Sequence, residues 1–438
     1  MPWQDLRHGS VMKKNRVVIT GLGVVAPNGV GIPDFLRALQ EGRSGIRFYP
    51  RLKEMGFSCC IGGEPQVTDE MKGNYLSPLQ LRNFNSSGIL YGCMAGMDAW
   101  RDAGLSFDPE GPADFESGMV FGAGTSGVDK FREGIYLLDQ GKVRRLGSTT
   151  VVQTMASGVS AYLSGILGLG NQVTTNSSAC ATGTEAVLMG FERLQAGKAK
   201  RMLVGSCGDH GPYVWGGFDA MRVLTYKHND SPELGSRPMS ASASGFVPGS
   251  GAGALVLETL DSALERNAAI YAEVLGGHVN SGGQRNGGSM TAPNSIAVVK
   301  CIKSALRDSQ VLPEEIDLIN GHLTATIKDP EEIRNWKEAL GLKGHSFPFI
   351  NSLKSMTGHG LGAAGSMECV ASVLQIYHNF VFPSLNCEDL HPEIEALIGA
   401  DSVPRDTIRR KVDLVAKASF GFGDVNACVL FKKFTQEQ

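Results

Sequence analysis

The chain has 438 residues, 42% apolar and 19% charged, with a net charge of −3. That length exceeds what one compact core usually holds, so two sub-domains are expected, and the near-neutral charge gives nucleic-acid binding no overall electrostatic support. The nine cysteines, odd in number and without C-x-x-C spacing, describe no disulfide framework and fit a reducing cytosol; no apolar run reaches the roughly 18 residues of a membrane span, and no signal-peptide core opens the chain.

Residues 1–11 differ in character from the rest of the chain and read as an arm or remnant ahead of Met12. Residues 16–26 read as a buried strand. The Gly21-Leu-Gly23 inside it is not a dinucleotide loop, because no third glycine and no helix come where that motif needs them. A helix is expected over 32–40 and a long one over 79–103, behind Pro78. Next come a strand at 118–124, a small-residue helix at 149–168, a β segment at 172–175 and a helix at 185–195. Strands are expected at 201–208, 252–258 and 272–276, and helices at 296–309, 331–340 and 366–378. The strands 412–418 and 427–431 close the chain as an antiparallel pair. This alternation predicts a layered α/β fold. The stretches from Thr174 and from Phe349 echo each other: a strand, Asn-Ser, a Thr-Gly turn, then a helix. Two related halves meeting near residue 270 are therefore expected.

Cys180 stands between the β segment and the helix. At a helix N-terminus the unpaired N–H groups and the positive dipole end favour a thiolate, so Cys180 is expected to be a nucleophile with a lowered pKa. Taken alone, the same residue also reads as a small buried core cysteine. Two distant segments change the balance. Asp317 to Thr326 carries His322, and Phe349 to Glu368 carries Lys354 and His359, each just past an apolar strand end. A third strand end reads Ala418-Ser-Phe-Gly-Phe422-Gly-Asp424. Sites of α/β folds gather residues from several strand ends in this way. His8, His210, His228, His278, His345, His378 and His391 lack such a context and read as surface or core residues, with His210 the least clear because it comes just after a strand. The basic run Gly197-Lys-Ala-Lys-Arg201, like Lys13, Lys14 and Arg16, reads first as a solvated turn, with a carrier-docking patch as the alternative.

With Ser236-Arg-Pro, Gly245-Phe-Val and Gly249-Ser-Gly-Ala-Gly253 added, these motifs resemble, over nearly the whole chain, the elongating β-ketoacyl-acyl carrier protein synthases among the thiolase-fold condensing enzymes. The resemblance implies a five-layer α-β-α-β-α fold of two duplicated halves: 12–270 with the nucleophile and 271–438 with the catalytic histidines. It implies that Cys180 accepts the acyl group and that His322 and His359 bind the malonyl thioester carbonyl. Lys354 then holds the histidine environment, and Glu368 matches an acidic residue on the next helix. The N–H groups of Cys180 and Phe422 would form the oxyanion hole. Phe422 would also gate an acyl tunnel to which Thr125 belongs. Thr324 and Thr326 would bind the pantetheine arm, and Arg222 would meet the acidic carrier protein. No metal or other cofactor is implied. The expected partners are an acyl carrier protein bearing acyl and malonyl thioesters and a second copy of the chain, in the cytoplasm.

Four departures mark the chain. His322-Leu-Thr-Ala-Thr-Ile-Lys-Asp329 has Leu323 where the family has glycine, and its acid comes one residue early. Asn286-Gly-Gly-Ser289 lacks the usual Asp and His. Thr125 replaces an apolar residue. Asp424 replaces the last glycine of the gating loop, where glycine permits unusual backbone angles, and so puts the gate's mobility in question. Fatty acid elongation leads among the expected functions. A specialised polyketide, polyene or lipid ketosynthase comes second, then a chain-length-setting partner subunit, which would usually lack the cysteine. A degradative thiolase would want a second reactive cysteine in the C-terminal glycine-rich loop, which holds none.

Overall fold

A computed structural model describes residues 14–342 and 347–436. The expected arm at 1–11, His8, Lys13 and His345 lie outside the described residues. The first half contributes strands β1 (Val17–Ala26), β2 (Ser117–Ala123), β3 (Val173–Thr174), β4 (Arg201–Gly208) and β5 (Gly251–Thr259). The second contributes β6 (Ala272–Ser281), β7 (Leu318–Asn320), β8 (Phe349–Asn351), β9 (Leu414–Gly421) and β10 (Val425–Lys432).

The spatial order is β3-β2-β4-β5-β1 in the first half and β8-β7-β9-β10-β6 in the second. The two orders are the same when each half is counted from its own first strand. The sense of pairing also repeats, with the first two pairs parallel and the last two antiparallel. The echo in the sequence is thus a duplicated topology. The halves join where Val17, Val18 and Ile19 of β1 pair antiparallel with Val274, Glu273 and Ala272 of β6.

Helices α1 (Ser87–Asp102) and α2 (Gly158–Leu167) cover the outer face of the first half's sheet. Helices α3 (Thr182–Gln195) and α6 (Ala364–His378) lie between the two halves' sheets. Helices α4 (Ser295–Asp308) and α5 (Asp329–Leu340) cover the outer face of the second. Five layers result. The strand pleat explains why: in β5, Ala252, Ala254 and Val256 join the α1 cluster, while Leu255 and Leu257 join the central one. Both sheet faces are buried, so the strands read as nearly continuous apolar runs.

Two expected helices are each broken in two. The 79–103 stretch forms Pro78–Leu81 and α1, because Arg82 is extended and Asn83 has φ 59°. Arg-Asn-Phe-Asn-Ser-Ser is poor helix sequence, and the Gln153 side chain staples the break by hydrogen bonds to Asn85 N (2.7 Å) and Asn83 O (3.2 Å). The 149–168 stretch splits into Thr150–Thr154 and α2, since Met155 is extended. Among the described residues no helix is long and apolar enough to cross a membrane.

Candidate active site

β3 ends at Thr174, and the chain turns sharply into α3 through Ala179, which has φ 48°. Thr182 Oγ1 holds the turn, accepting from Ser178 N (2.8 Å) and donating to Ala179 O (2.6 Å). Glu185 holds the Ser178 hydroxyl and Asn176 Nδ2. Cys180 thus projects just before α3, whose cap residue is Ala181. All nine cysteines are free, eight are buried, and Cys180 alone is partly exposed. This accessibility separates Cys180 from the core thiols.

Cys180 Sγ and one ring nitrogen each of His322 and His359 lie within 4.8 Å of one another. They stand at a cavity of about 330 Å³, in the usual range for a small-molecule site. The imidazoles meet edge to face with centroids 5.4 Å apart. His359 is pinned by its backbone, which donates to Val247 O (2.7 Å) and accepts from Gly249 N (2.8 Å); this is what the Gly245 to Gly253 motif does. Leu361 N donates to His359 Nδ1 (3.1 Å), so the ring proton resides on Nε2. His322 is held by Glu332, whose carboxylate accepts from His322 N and Leu323 N, both at 2.7 Å. That clamp explains how Leu323, at φ 20°, occupies a position where the family has glycine. Asp329 accepts from Thr324 N (3.0 Å) and Ala325 N (3.1 Å) and closes the same loop.

Burial, then the Lys354 and Lys417 ammonium groups, hold both imidazoles well below the usual histidine range. His359 adds to the effect on His322. Both rings are therefore neutral N–H donors at physiological pH. Cys, His, His is also a donor set for a divalent ion, but the two ammonium groups disfavour a cation there.

Lys354 pairs with Glu368, and Lys417 Nζ lies 2.8 Å from the other carboxylate oxygen of Glu368. The second contact is an ion pair by distance rather than an aligned hydrogen bond. All three groups are buried. The sequence motifs pointed to Lys354 and Glu368 and missed Lys417.

The thiolate expectation is corrected. Burial pushes the Cys180 thiol up to about 11, only partly offset by Lys354 and by the N–H groups of Phe422 and Cys180. One helix end does not outweigh desolvation. Those two N–H groups both reach the Cys180 sulfur. A Cβ on Gly421 would lie 3.1 Å from Cys180 N, so glycine lets the Phe422 turn come this close.

Phe422, Thr324 and Thr326 line the cavity, and the two threonine hydroxyls are 3.2 Å apart. Arg222 is exposed beside the cavity residue Val223. Thr125 is exposed and is not among the residues lining this cavity. His210 bonds Tyr91 OH (2.9 Å) and faces Glu64 (3.3 Å), away from Cys180.

A cysteine facing two neutral histidines, between duplicated α/β halves, defines a thiolase-like condensing acyltransferase. The chain belongs to the beta-ketoacyl synthase family, whose N-terminal domain matches residues 14–263 and whose C-terminal domain matches residues 271–388. It is 34% identical to 3-oxoacyl-[acyl-carrier-protein] synthase 1 of Escherichia coli (strain K12), covering 95% of this chain and 99% of that one. It resembles the crystal structure of a beta-ketoacyl synthase from Burkholderia phymatum STM815, with a TM-score of 0.87 and 28% identity over 96% of this chain and 100% of that one. The ishigamide ketosynthase/chain length factor is similar as well, with a TM-score of 0.85 and 28% identity over the same shares.

Proposed function

We propose that this chain is a 3-oxoacyl-[acyl-carrier-protein] synthase that extends an acyl chain by decarboxylative condensation with malonyl-carrier protein in fatty acid elongation. The observation that carries this reading is the 4.8 Å grouping of Cys180, His322 and His359 at the cavity. In the first step Cys180 sulfur attacks the acyl thioester carbonyl. The Cys180 and Phe422 N–H groups receive the oxyanion, and the carrier thiol leaves with the proton. In the second step the malonyl carbon–carboxylate bond breaks. Carbon dioxide leaves, and the electron pair becomes an enolate whose oxygen accepts N–H bonds from His322 and His359. The enolate carbon then attacks the acyl-Cys180 carbonyl. A carbon–carbon bond forms, the carbon–sulfur bond breaks, and the departing Cys180 thiolate takes up a proton from solvent to regenerate the thiol. Thr324 and Thr326 hold the pantetheine arm, and Arg222 meets an acidic carrier at the mouth.

We place the division between halves at 270/271 and the enzyme in the cytoplasm, where nine free thiols are chemically at ease. A second copy of the chain is the proposed subunit partner. Phe131, Ile135, Tyr136, Leu138, Val143 and Val151 are all more than half exposed on one segment, and β3 is an edge strand of the sheet. A specialised ketosynthase is the second reading, favoured by the contacts that Asp424 makes with the 282–294 loop. A partner subunit without catalysis is disfavoured by the intact Cys-His-His set. A degradative thiolase is disfavoured because Cys428 is buried inside β10.

The test is intact-protein mass measurement after incubation with acyl-carrier proteins of graded length, then with malonyl-carrier protein. An adduct on Cys180 that disappears as β-ketoacyl product forms supports the reading. Condensation retained by Cys180→Ala would refute the nucleophile. His322→Ala and His359→Ala should lower decarboxylation more than Cys180 acylation; an equal loss of both would refute the division of roles.

A further inference from the structure

Two of the departures found in the sequence, Asp424 and the loop through Asn286-Gly-Gly-Ser289, meet in space. Asp424 is fully buried, with φ 64°. Its Oδ2 accepts from Gln284 N (2.9 Å) and its Oδ1 from Asn294 N (2.8 Å). Its carbonyl accepts from Gly282 N (2.9 Å), and the neighbouring Gly423 N donates to Met290 O (2.8 Å). The fit is close: a Cβ on Gly282 or Gly288 would lie 2.1 or 2.5 Å from Oδ2. Asn294 in turn caps α4 through Ile296 N (2.9 Å). The outer side of the loop is open, with Met290 58% exposed. A buried carboxylate therefore sits beneath an exposed, glycine-rich loop and organises it.

Both connected segments form the cavity wall. Phe422 is two residues before Asp424, and Thr291, Ala292 and Pro293 immediately precede Asn294. We propose that Asp424 is a specificity-determining latch: it ties the Phe422 turn to the 282–294 loop, so that the two walls keep one spacing and together set which acyl chain Cys180 accepts. The proposal rests on the acyl-transfer reading above. A buried carboxylate accepts charge-assisted bonds and cannot leave them without desolvation cost. Moving Phe422 alone would break two such bonds; moving it with the loop keeps them. Glycine at 424 would leave the turn without this tie.

The test compares the full chain with Asp424→Gly and Asp424→Asn. Both substitutes tolerate positive φ, and asparagine keeps one acceptor oxygen. The first readout is amide hydrogen exchange, independent of activity. The amides of Gln284 and Asn294 should exchange about tenfold or more faster in Asp424→Gly, with Asp424→Asn between. The second is acylation of Cys180 by butanoyl, octanoyl and hexadecanoyl carrier-protein thioesters. The rate ratio of the longest to the shortest chain should rise about fivefold or more in Asp424→Gly. Unchanged exchange overturns the latch, and lost protection with an unchanged chain-length ratio overturns its role in specificity. If the unaltered protein accepts no acyl group, the acyl-transfer reading and the specificity claim fail together, while exchange still decides whether Asp424 ties the two segments.

Discussion

Alkylation of Cys180 by iodoacetamide should be slow near neutrality and climb steeply with pH. With its thiol pushed up to about 11 by burial, the reactive thiolate is about one part in a thousand at about pH 8. Each further pH unit should raise the rate about tenfold until close to about pH 10. The other eight cysteines are buried, so intact-mass measurement should show a single adduct at short times. Lys354→Met should displace the curve to still higher pH, because its ammonium is the largest group opposing the effect of burial. A rate that levels off below about pH 8 would refute the argument. It would show that the helix end and the two N–H donors outweigh desolvation, as the local sequence suggests.

Lys417→Met removes one of the two cations that depress His322 and His359, so their pKa values should rise and the acid limb of malonyl decarboxylation should move to higher pH. A rate lowered equally at every pH would mean that Lys417 only fills space. Glu332→Ala leaves the N–H groups of His322 and Leu323 without their acceptor. It should cost about 2–4 kcal/mol in chemical unfolding, with decarboxylation falling further than acylation. Gly253→Ala would place Cβ 2.5 Å from Met367 N on α6 and should destabilise by about 3 kcal/mol. Gly73→Ala, with nothing within 4 Å, should stay near neutral in the same denaturation assay.

Residues whose role is set by their own short motif were legible in the sequence. Cys180, His322, Lys354 and His359 follow strand ends and Glu368 stands on the next helix, and the structure brings them together. Lys417 was hidden because a lone lysine in Leu-Val-Ala-Lys-Ala-Ser resembles a solvated position. The usable signal was its place in a strand buried on both faces, where alternation puts it with Val415 and Ser419 on the central side. The thiolate expectation failed for a related reason: a helix end is local, whereas desolvation is set by the whole fold. Asp424 was visible as an odd residue, but its partners lie 130 and 140 positions away. The broken helix at 82–86 was likewise decided by a side chain from another segment, Gln153.

The division of the site between the halves has a consequence for synthesis of the protein. Cys180 comes from the first half, whereas both histidines and the Phe422 N–H come from the second. Roughly 240 residues separate Cys180 from Phe422, which a ribosome adds in roughly 10–50 s. Until residue 359 has been added the emerging chain holds the thiol without the histidine pair, and until residue 422 without the Phe422 N–H. A released fragment ending before His359 would lack one of the two proposed enolate donors, so such unfinished copies would not waste malonyl groups.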